Sequence, residues 1–216
     1  MNWKCKTFLQ CGEEMFELIV KNYLSWFPEL GIGYYPVTES PYDEKYFEKY
    51  RVMAETDMGK ALNKARLDLV NKYTDGEVLD IGIGCGTFVK SRCNTFGFDI
   101  NPKGIEWLND KNLYIDPYNK KVESATFWDS LEHIHDVDKI LKNITRYVFV
   151  SLPIFASGKH VLLSKHFRKD EHCWYFDNNG IKLFMAMNDF DYVESNWMET
   201  TLGRESIGTY VFKRKS

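Results

Sequence analysis

Two carboxylates and three glycines set the first chemical question. Asp80 sits in the apolar run Val78-Leu79-Asp80-Ile81 and is followed by Gly82, Gly84 and Gly86, each separated by one residue. A strand that ends in glycines and opens a helix lets main chain approach a ligand closely. A dinucleotide turn needs its glycines in G-x-G-x-x-G order. Here position 87 is Thr87, so the third glycine comes one residue early. A carboxylate at Asp80 opposes a phosphate and attracts an ammonium group. A second acid, Asp99, follows Asp80 by 19 positions and ends the run Thr95-Phe96-Gly97-Phe98. There a strand-tip carboxylate can accept hydrogen bonds from both ribose hydroxyls. The ligand so described carries a ribose and an amino-acid ammonium but no phosphate. S-adenosylmethionine meets that description.

Other candidates cluster further on. The run Glu123-Ser124-Ala125-Thr126-Phe127-Trp128 reads as a strand, and its end presents Trp128, Asp129 and, slightly farther, His133. Ligands of open parallel sheets sit beyond the carboxyl ends of strands. Methyl transfer from a sulfonium is an in-line displacement, so alignment and exclusion of water carry much of the rate. A base is needed only where the nucleophile arrives protonated. His133 is the candidate base, with a turn-orienting role weighed equally, and Asp129 shares the catalytic position. His135 is expected to point elsewhere. Asp116 ends the third apolar run, where it meets the adenine amino group or simply holds the turn Asp116-Pro117-Tyr118.

The segment 156–173 carries Lys159, His160, Lys165, His166, Arg168, Lys169 and His172. It reads as a solvated charged loop or as an anion-binding one, with the planar fork of Arg168 as the clamp. Histidines six residues apart suit neither one helix face nor a tight chelating loop, so no metal ligands are predicted.

Elements must hold these groups in place. Residues 13–27 have helical periodicity ended by Pro28, and residues 28–41 read as a loop. Ser40-Pro41 with Asp43 marks a helix start. Met58, Ala61, Leu62, Ala65, Leu69 and Tyr73 form the inward stripe of a later helix. From Glu77 short apolar runs alternate with helical or turn-rich pieces, which argues a parallel sheet with helices on its faces. Helices are expected from Asn101-Pro102, from Asp136, and over about Asp177 to Asn188. The last two runs, 192–199 and 207–214, suggest an antiparallel hairpin. The organisation expected is an N-terminal helical cap over 1–76 and a cofactor-binding core over 77–216.

The segment Asp80-Ile-Gly82-Ile-Gly84-Cys-Gly86 resembles motif I of the class I S-adenosylmethionine-dependent methyltransferases. Phe98-Asp99-Ile100-Asn101-Pro102 is similar to that family's acidic ribose-binding segment. The stretch 127–141, with Leu131-Glu132-His133 ahead of an aspartate-started helix, resembles the UbiE/UbiG-like (type 11/12) branch. The run 147–153 looks like the family's fifth strand, and the aromatic-rich stretch 171–194 resembles that branch's later stretch. The pattern looks most like small stand-alone bacterial and bacteriophage methyltransferases. The resemblance spans about residues 77–213. It implies an α/β, doubly wound Rossmann-like fold with a seven-stranded sheet. The implied cofactor site is Asp80, Gly82, Gly84, Gly86, Asp99, Ile100, Asp116 and Trp128. Tyr34, Tyr35, Tyr42, Tyr46 and Phe47 fall where related enzymes cover the cofactor, although they could equally seal helices against the sheet. Gly86 and Asp99 stand only 13 positions apart, so the intervening helix is expected to be clipped.

Composition narrows the remaining classes. The 216 residues are 44% hydrophobic and 16% aromatic, enough to fill a core. A net charge of −3 disfavours a nonspecific hold on nucleic acid. DNA base methylation by either standard route is disfavoured. Asp116-Pro117-Tyr118 lacks the second proline of the amino-methylating motif and precedes the fourth strand, and no Pro-Cys dipeptide offers a cytosine-C5 nucleophile. Five scattered cysteines suit a reducing cytosol, and no membrane span is apparent. The sequence therefore predicts a cytoplasmic S-adenosylmethionine-dependent methyltransferase acting on O or N of a small acceptor, an anionic one included. Nucleic acid or nucleotides as acceptor, and a non-catalytic binding module, are the alternatives. Oligomeric state is left open.

Overall fold

The computed structural model describes residues 24–37 and 44–215. The elements in chain order are β1 (Ser25–Phe27), β2 (Ile32–Tyr34), α1 (Glu44–Glu55), α2 (Asp57–Tyr73), β3 (Val78–Ile81), α3 (Thr87–Ser91) and β4 (Thr95–Phe98). Next come α4 (Pro102–Asp110), β5 (Val122–Trp128), a 3-10 turn at Leu131–His133, α5 (Val137–Leu141), β6 (Ile144–Pro153) and α6 (Gly158–Leu163). The chain ends with β7 (Trp174–Phe176), α7 (Asn178–Met187), β8 (Phe190–Asn196), α8 (Met198–Thr201) and β9 (Ile207–Arg214).

The main sheet has the order β4-β3-β5-β6-β9-β8. The first four strands are mutually parallel; β9 and β8 form the antiparallel addition. All four residues of β3 are buried, as are six of seven in β5, because helices cover both faces. Burial on two faces explains why these strands read as continuous apolar runs rather than alternating ones.

Six strands, not seven, make up this sheet among the described residues. The third expected run is reduced to one parallel bridge, Gly97↔Tyr114. Asn112 turns through a left-handed backbone (φ 55°) just before it, and the Asp116-Pro117 turn closes it just after, leaving no length for a strand.

The N-terminal segment also departs from expectation. Residues 25–27, read as the end of a helix, are strand β1, and β2 lies within the expected loop. Both join β7 in a small antiparallel sheet of order β1-β2-β7. Pairing with β2, itself held by the distant β7, overrides the local periodicity, and aromatic Trp26 and Phe27 suit a pleated surface. The rest of the expected helix (13–23) and the Ser40-Pro41 start lie outside the described residues. In α2 the buried face is Leu62, Leu69 and Val70, whereas Met58 is exposed.

The remaining helix signals hold. Asn101 caps α4 by accepting from the Lys103 N–H, with Pro102 in the first turn. Asp177 caps α7 through the Asn179 and Gly180 N–H groups. The clipped first helix is α3, five residues long, with β4 starting at Thr95. No helix among the described residues is long and apolar enough to cross a membrane.

Candidate active site

Two adjoining cavities of about 250 and about 210 Å³ open at the carboxyl ends of β3, β4 and β5. They share Tyr50, Gly82, Gly84, Trp128 and Asp129 and form one elongated site. The larger lobe runs from Gly82 and Gly84 toward Phe98, Asp99, Ile100 and Tyr118. The smaller lobe runs toward Asp80, Met53, Arg66, Arg168 and Arg204.

The glycine turn is built as the spacing requires. Gly82 and Gly86 have φ of 80° and 76°, in the region that disfavours side chains. A Cβ on Gly82 would lie 2.7 Å from Ser130 Cβ, and one on Gly86 would lie 2.7 Å from the Trp107 ring. Gly86 caps α3, and Trp107 fills its far side, so Gly86 shapes the turn without lining either lobe.

Asp80 is 1% exposed, and its carboxylate accepts a hydrogen bond of 2.7 Å from Thr126 Oγ1. The two residues are direct partners in the β3–β5 register, which fixes that contact. Burial pushes the Asp80 carboxyl up to about 7; the Thr126 hydroxyl and the charge of Arg66 work against the rise. Asp99 lines the larger lobe and accepts from the Asn101 N–H at 2.8 Å. Burial raises its carboxyl, and main-chain hydrogen bonds at Asn101, Ile100 and Ile83 hold the rise back. Ile100 is 59% exposed beside it, an apolar face turned to the lobe.

Trp128 borders both lobes, with Phe88 against its edge and the Arg66 guanidinium 5.0 Å from the ring centroid. Asp129 has a left-handed backbone (φ 56°) at the strand end and accepts from Arg204 Nη1 at 2.5 Å, with Arg66 Nη2 at 3.4 Å. Both arginines also hold Glu199, which is fully buried at 0% exposure. Burial would raise the Glu199 carboxyl, but the two guanidinium groups outweigh it and lower it to about 2. Asp129 is therefore part of a charged frame with Arg66, Arg204 and Glu199.

His133 borders the larger lobe, edge-on to His172 with centroids 4.5 Å apart. Burial lowers its ring to about 4, against the pull of the Glu171 and Asp129 carboxylates. The imidazole is neutral at physiological pH, well below the range that favours a general base.

Of the two roles expected for Asp116 the structure carries the turn one, and the expectation for His135 is corrected. Asp116 does not line either lobe. Its carboxylate accepts from the Tyr118 N–H and the Asn119 side chain at 2.9 and 2.7 Å, so it holds the turn. His135, expected to point away, lines the larger lobe with Nδ1 at 3.0 Å from the Tyr34 hydroxyl. Tyr34 and Tyr35 pack edge-on against Trp174 and Phe167. Tyr42 and the side chain of Tyr46 lie outside the described residues, and Phe47 does not line either lobe. The tyrosine over the glycine turn is Tyr50, whose ring stands 3.4 Å from where a Gly84 Cβ would be. Only its place in an aromatic-rich helix hinted at that. Arg66, Glu199 and Arg204 carried no sequence signal, since their meeting depends on α2 and α8 crossing the strand ends.

A glycine turn flanked by the buried Asp80 and the half-buried Asp99 at the tips of parallel strands, in this sheet order, defines a class I S-adenosylmethionine-dependent methyltransferase. The family described as a methyltransferase domain matches residues 43–195, and the chain belongs to it. Its fold is shared with magnesium protoporphyrin IX methyltransferase from Synechocystis PCC 6803 with bound S-adenosylhomocysteine. That likeness has TM-score 0.54 and 12% identity, covering 80% of this chain and 95% of that one. An S-adenosylmethionine-dependent methyltransferase from Clostridium acetobutylicum is similar, at TM-score 0.54 and 13% identity over 80% of this chain and 98% of that one. So is the N-methyltransferase NodS from Bradyrhizobium japonicum WM9, at TM-score 0.54 and 12% identity over 76% and 99%. None of the curated protein sequences matches this chain. The protein is an enzyme of the methyltransferase class, and its methyl donor is S-adenosylmethionine.

Proposed function

We propose that the enzyme methylates an oxygen or nitrogen of a small, negatively charged acceptor. One observation carries this reading. The smaller lobe, which adjoins Trp128 and Asp129, is bordered by Lys49, Arg66, Arg168 and Arg204 against only two lining acids, Asp80 and Asp129. Arg66 and Arg204 are already engaged by Asp129 and Glu199. Arg168 pairs with Glu171 at 2.9 Å while its side chain is 43% exposed, an arrangement an acceptor anion can exchange into.

In this reading the donor spans both lobes. Asp80 takes the ammonium, Gly82 and Gly84 give main-chain contact, Asp99 binds the ribose hydroxyls and Ile100 lies on the adenine. Trp128 stands beside the sulfonium. Asp129 keeps the arginine frame in register, and the neutral His133 ring borders the acceptor side. Helices α1 and α2 act as the cap over a core that begins near Glu77, with Tyr50, Met53 and Met58 on the cavity side. The Leu131-Glu132-His133 turn ahead of α5 supports the UbiE/UbiG-like branch and its small bacterial and bacteriophage members. Free Cys85, Cys93 and Cys173 support a reducing cytoplasm.

The test supplies methyl-labelled donor with panels of small carboxylates and phosphates, neutral analogues, and polynucleotides. Turnover confined to anionic small molecules is the expected result. Turnover on polynucleotide overturns the acceptor class. Tight S-adenosylhomocysteine binding without transfer to any panel marks a binding module instead.

A further inference from the structure

Behind the acceptor end, three potential ligands converge that the donor site does not use. The 3-10 turn after β5 buries Glu132 at 1% exposure and sets His133 beside the larger lobe. His172 comes from the segment before β7 and is 4% exposed. The two stretches are pinned together, since the Cys173 N–H donates to the Glu132 main-chain carbonyl at 2.9 Å. One ligand atom from each of Glu132, His133 and His172 lies within 4.8 Å of the others.

The cluster leaves polar atoms unsatisfied. Among the described residues, neither carboxylate oxygen of Glu132 has a hydrogen-bond partner, and neither has His172 Nδ1. An unpaired buried polar atom costs about 1–3 kcal/mol, and more when it is charged. A carboxylate and an imidazole lone pair facing each other are both acceptors, so each worsens the other. A cation between them satisfies both at once. The His133 and His172 rings also hydrogen-bond the main chain at Glu171 and His166, the outer contact that fixes ring orientation at metal sites.

We propose that Glu132, His133 and His172 bind one divalent first-row transition ion. Two imidazoles with one carboxylate select such ions over Mg²⁺ and Ca²⁺, which take oxygen donors. Ligand atoms around a tetrahedral Zn²⁺ stand about 3.4 Å apart, so separations within 4.8 Å close by at most about 1.4 Å on loading. Three protein ligands leave the ion open positions, and His133 directs them toward the lobe shared with Asp129 and Ser130. Only that last point, the ion's access to the acceptor, rests on the function proposed above.

The full-length protein is stripped with chelator and titrated calorimetrically with Mn²⁺, Co²⁺, Mg²⁺ and Ca²⁺. S-adenosylhomocysteine is titrated into the same preparation. The expected result is one equivalent of Mn²⁺ or Co²⁺, bound at least 100-fold more tightly than Mg²⁺ or Ca²⁺. Glu132→Gln and His172→Gln should each weaken it at least tenfold. Wild-type protein silent toward both transition ions overturns the site, and marks a proton or a water shared between Glu132 and His172. Unchanged affinity in both variants overturns it as well. Should the variants misfold, the visible spectrum of the wild-type Co²⁺ complex decides. Nitrogen- and oxygen-ligated d–d bands support the site, while a thiolate charge-transfer band or the free aquo ion overturns it. Ion binding with no S-adenosylhomocysteine binding leaves the site standing and removes the donor placement proposed above; the reverse pattern removes the site alone.

Discussion

At Asp80 a single proton decides what the smaller lobe can hold. Its carboxyl is pushed up to about 7 from an ordinary 3.8. The folded chain keeps this proton between those values, where the unfolded chain has lost it. This group's contribution to stability is therefore whole below about pH 4 and is lost as pH rises through about 7. An ammonium beside the carboxylate reverses the preference, since an opposite charge favours ionisation. Binding of S-adenosylhomocysteine between about pH 5.5 and 7.5 should release up to one proton and tighten as pH rises. Calorimetry in buffers of different ionisation enthalpy measures the release, and Asp80→Asn should abolish it. Proton-neutral binding by the wild type would put the ammonium elsewhere. Arg168 makes a second residue-scale case. Losing a charge-assisted hydrogen bond costs about 1.5–3 kcal/mol, so Arg168→Ala should raise the acceptor KM roughly 10- to 100-fold. The S-adenosylhomocysteine Kd should stay as it was; an unchanged KM removes the clamp.

Among elements, the turn between β3 and α3 gives the sharpest prediction. An alanine at Gly86 would meet the Trp107 ring at 2.7 Å in a backbone with φ 76°. Gly86→Ala should lower unfolding free energy by roughly 1–3 kcal/mol, read from the denaturant midpoint. Adding Trp107→Leu should return the steric part and leave the backbone part; a fully additive double variant would show that the ring is not the obstacle. This turn was also the most legible part of the chain. Asp80, the glycines and Asp99 announce themselves because their constraints are local: a bend that excludes Cβ, and acids at strand tips. The end hairpin and the caps at Asn101 and Asp177 were equally local. What could not be read depended on distant pairing. Ile32–Tyr34 becomes the middle strand of its sheet because Trp174–Phe176 lies alongside. Glu199 looks like one more surface acid until Arg66 and Arg204 enclose it. His172 was weighed with His160 and His166, yet it is His133 that the His172 ring meets, with centroids 4.5 Å apart.

At the scale of the whole molecule, donor and stability are linked, because a ligand held only by the folded state adds RT ln(1 + [L]/Kd). S-adenosylhomocysteine at a hundred times its Kd should add about 2.7 kcal/mol, or a Tm rise of roughly 5–10 °C for a chain of this length. A scan with and without ligand reads this directly, and no shift at saturation would mean that the site does not close on the nucleoside. The small sheet bears on how the acceptor end could be altered. Tyr35 N donates to the Cys173 carbonyl and Asp177 N to that of Gly31, so Ser25–Tyr34 is laced to the stretch that delivers His172. Transplanting residues 156–176 from a relative would therefore demand its matching early hairpin as well. A graft without that companion leaves β7 as a bare edge, open to pairing with neighbouring molecules.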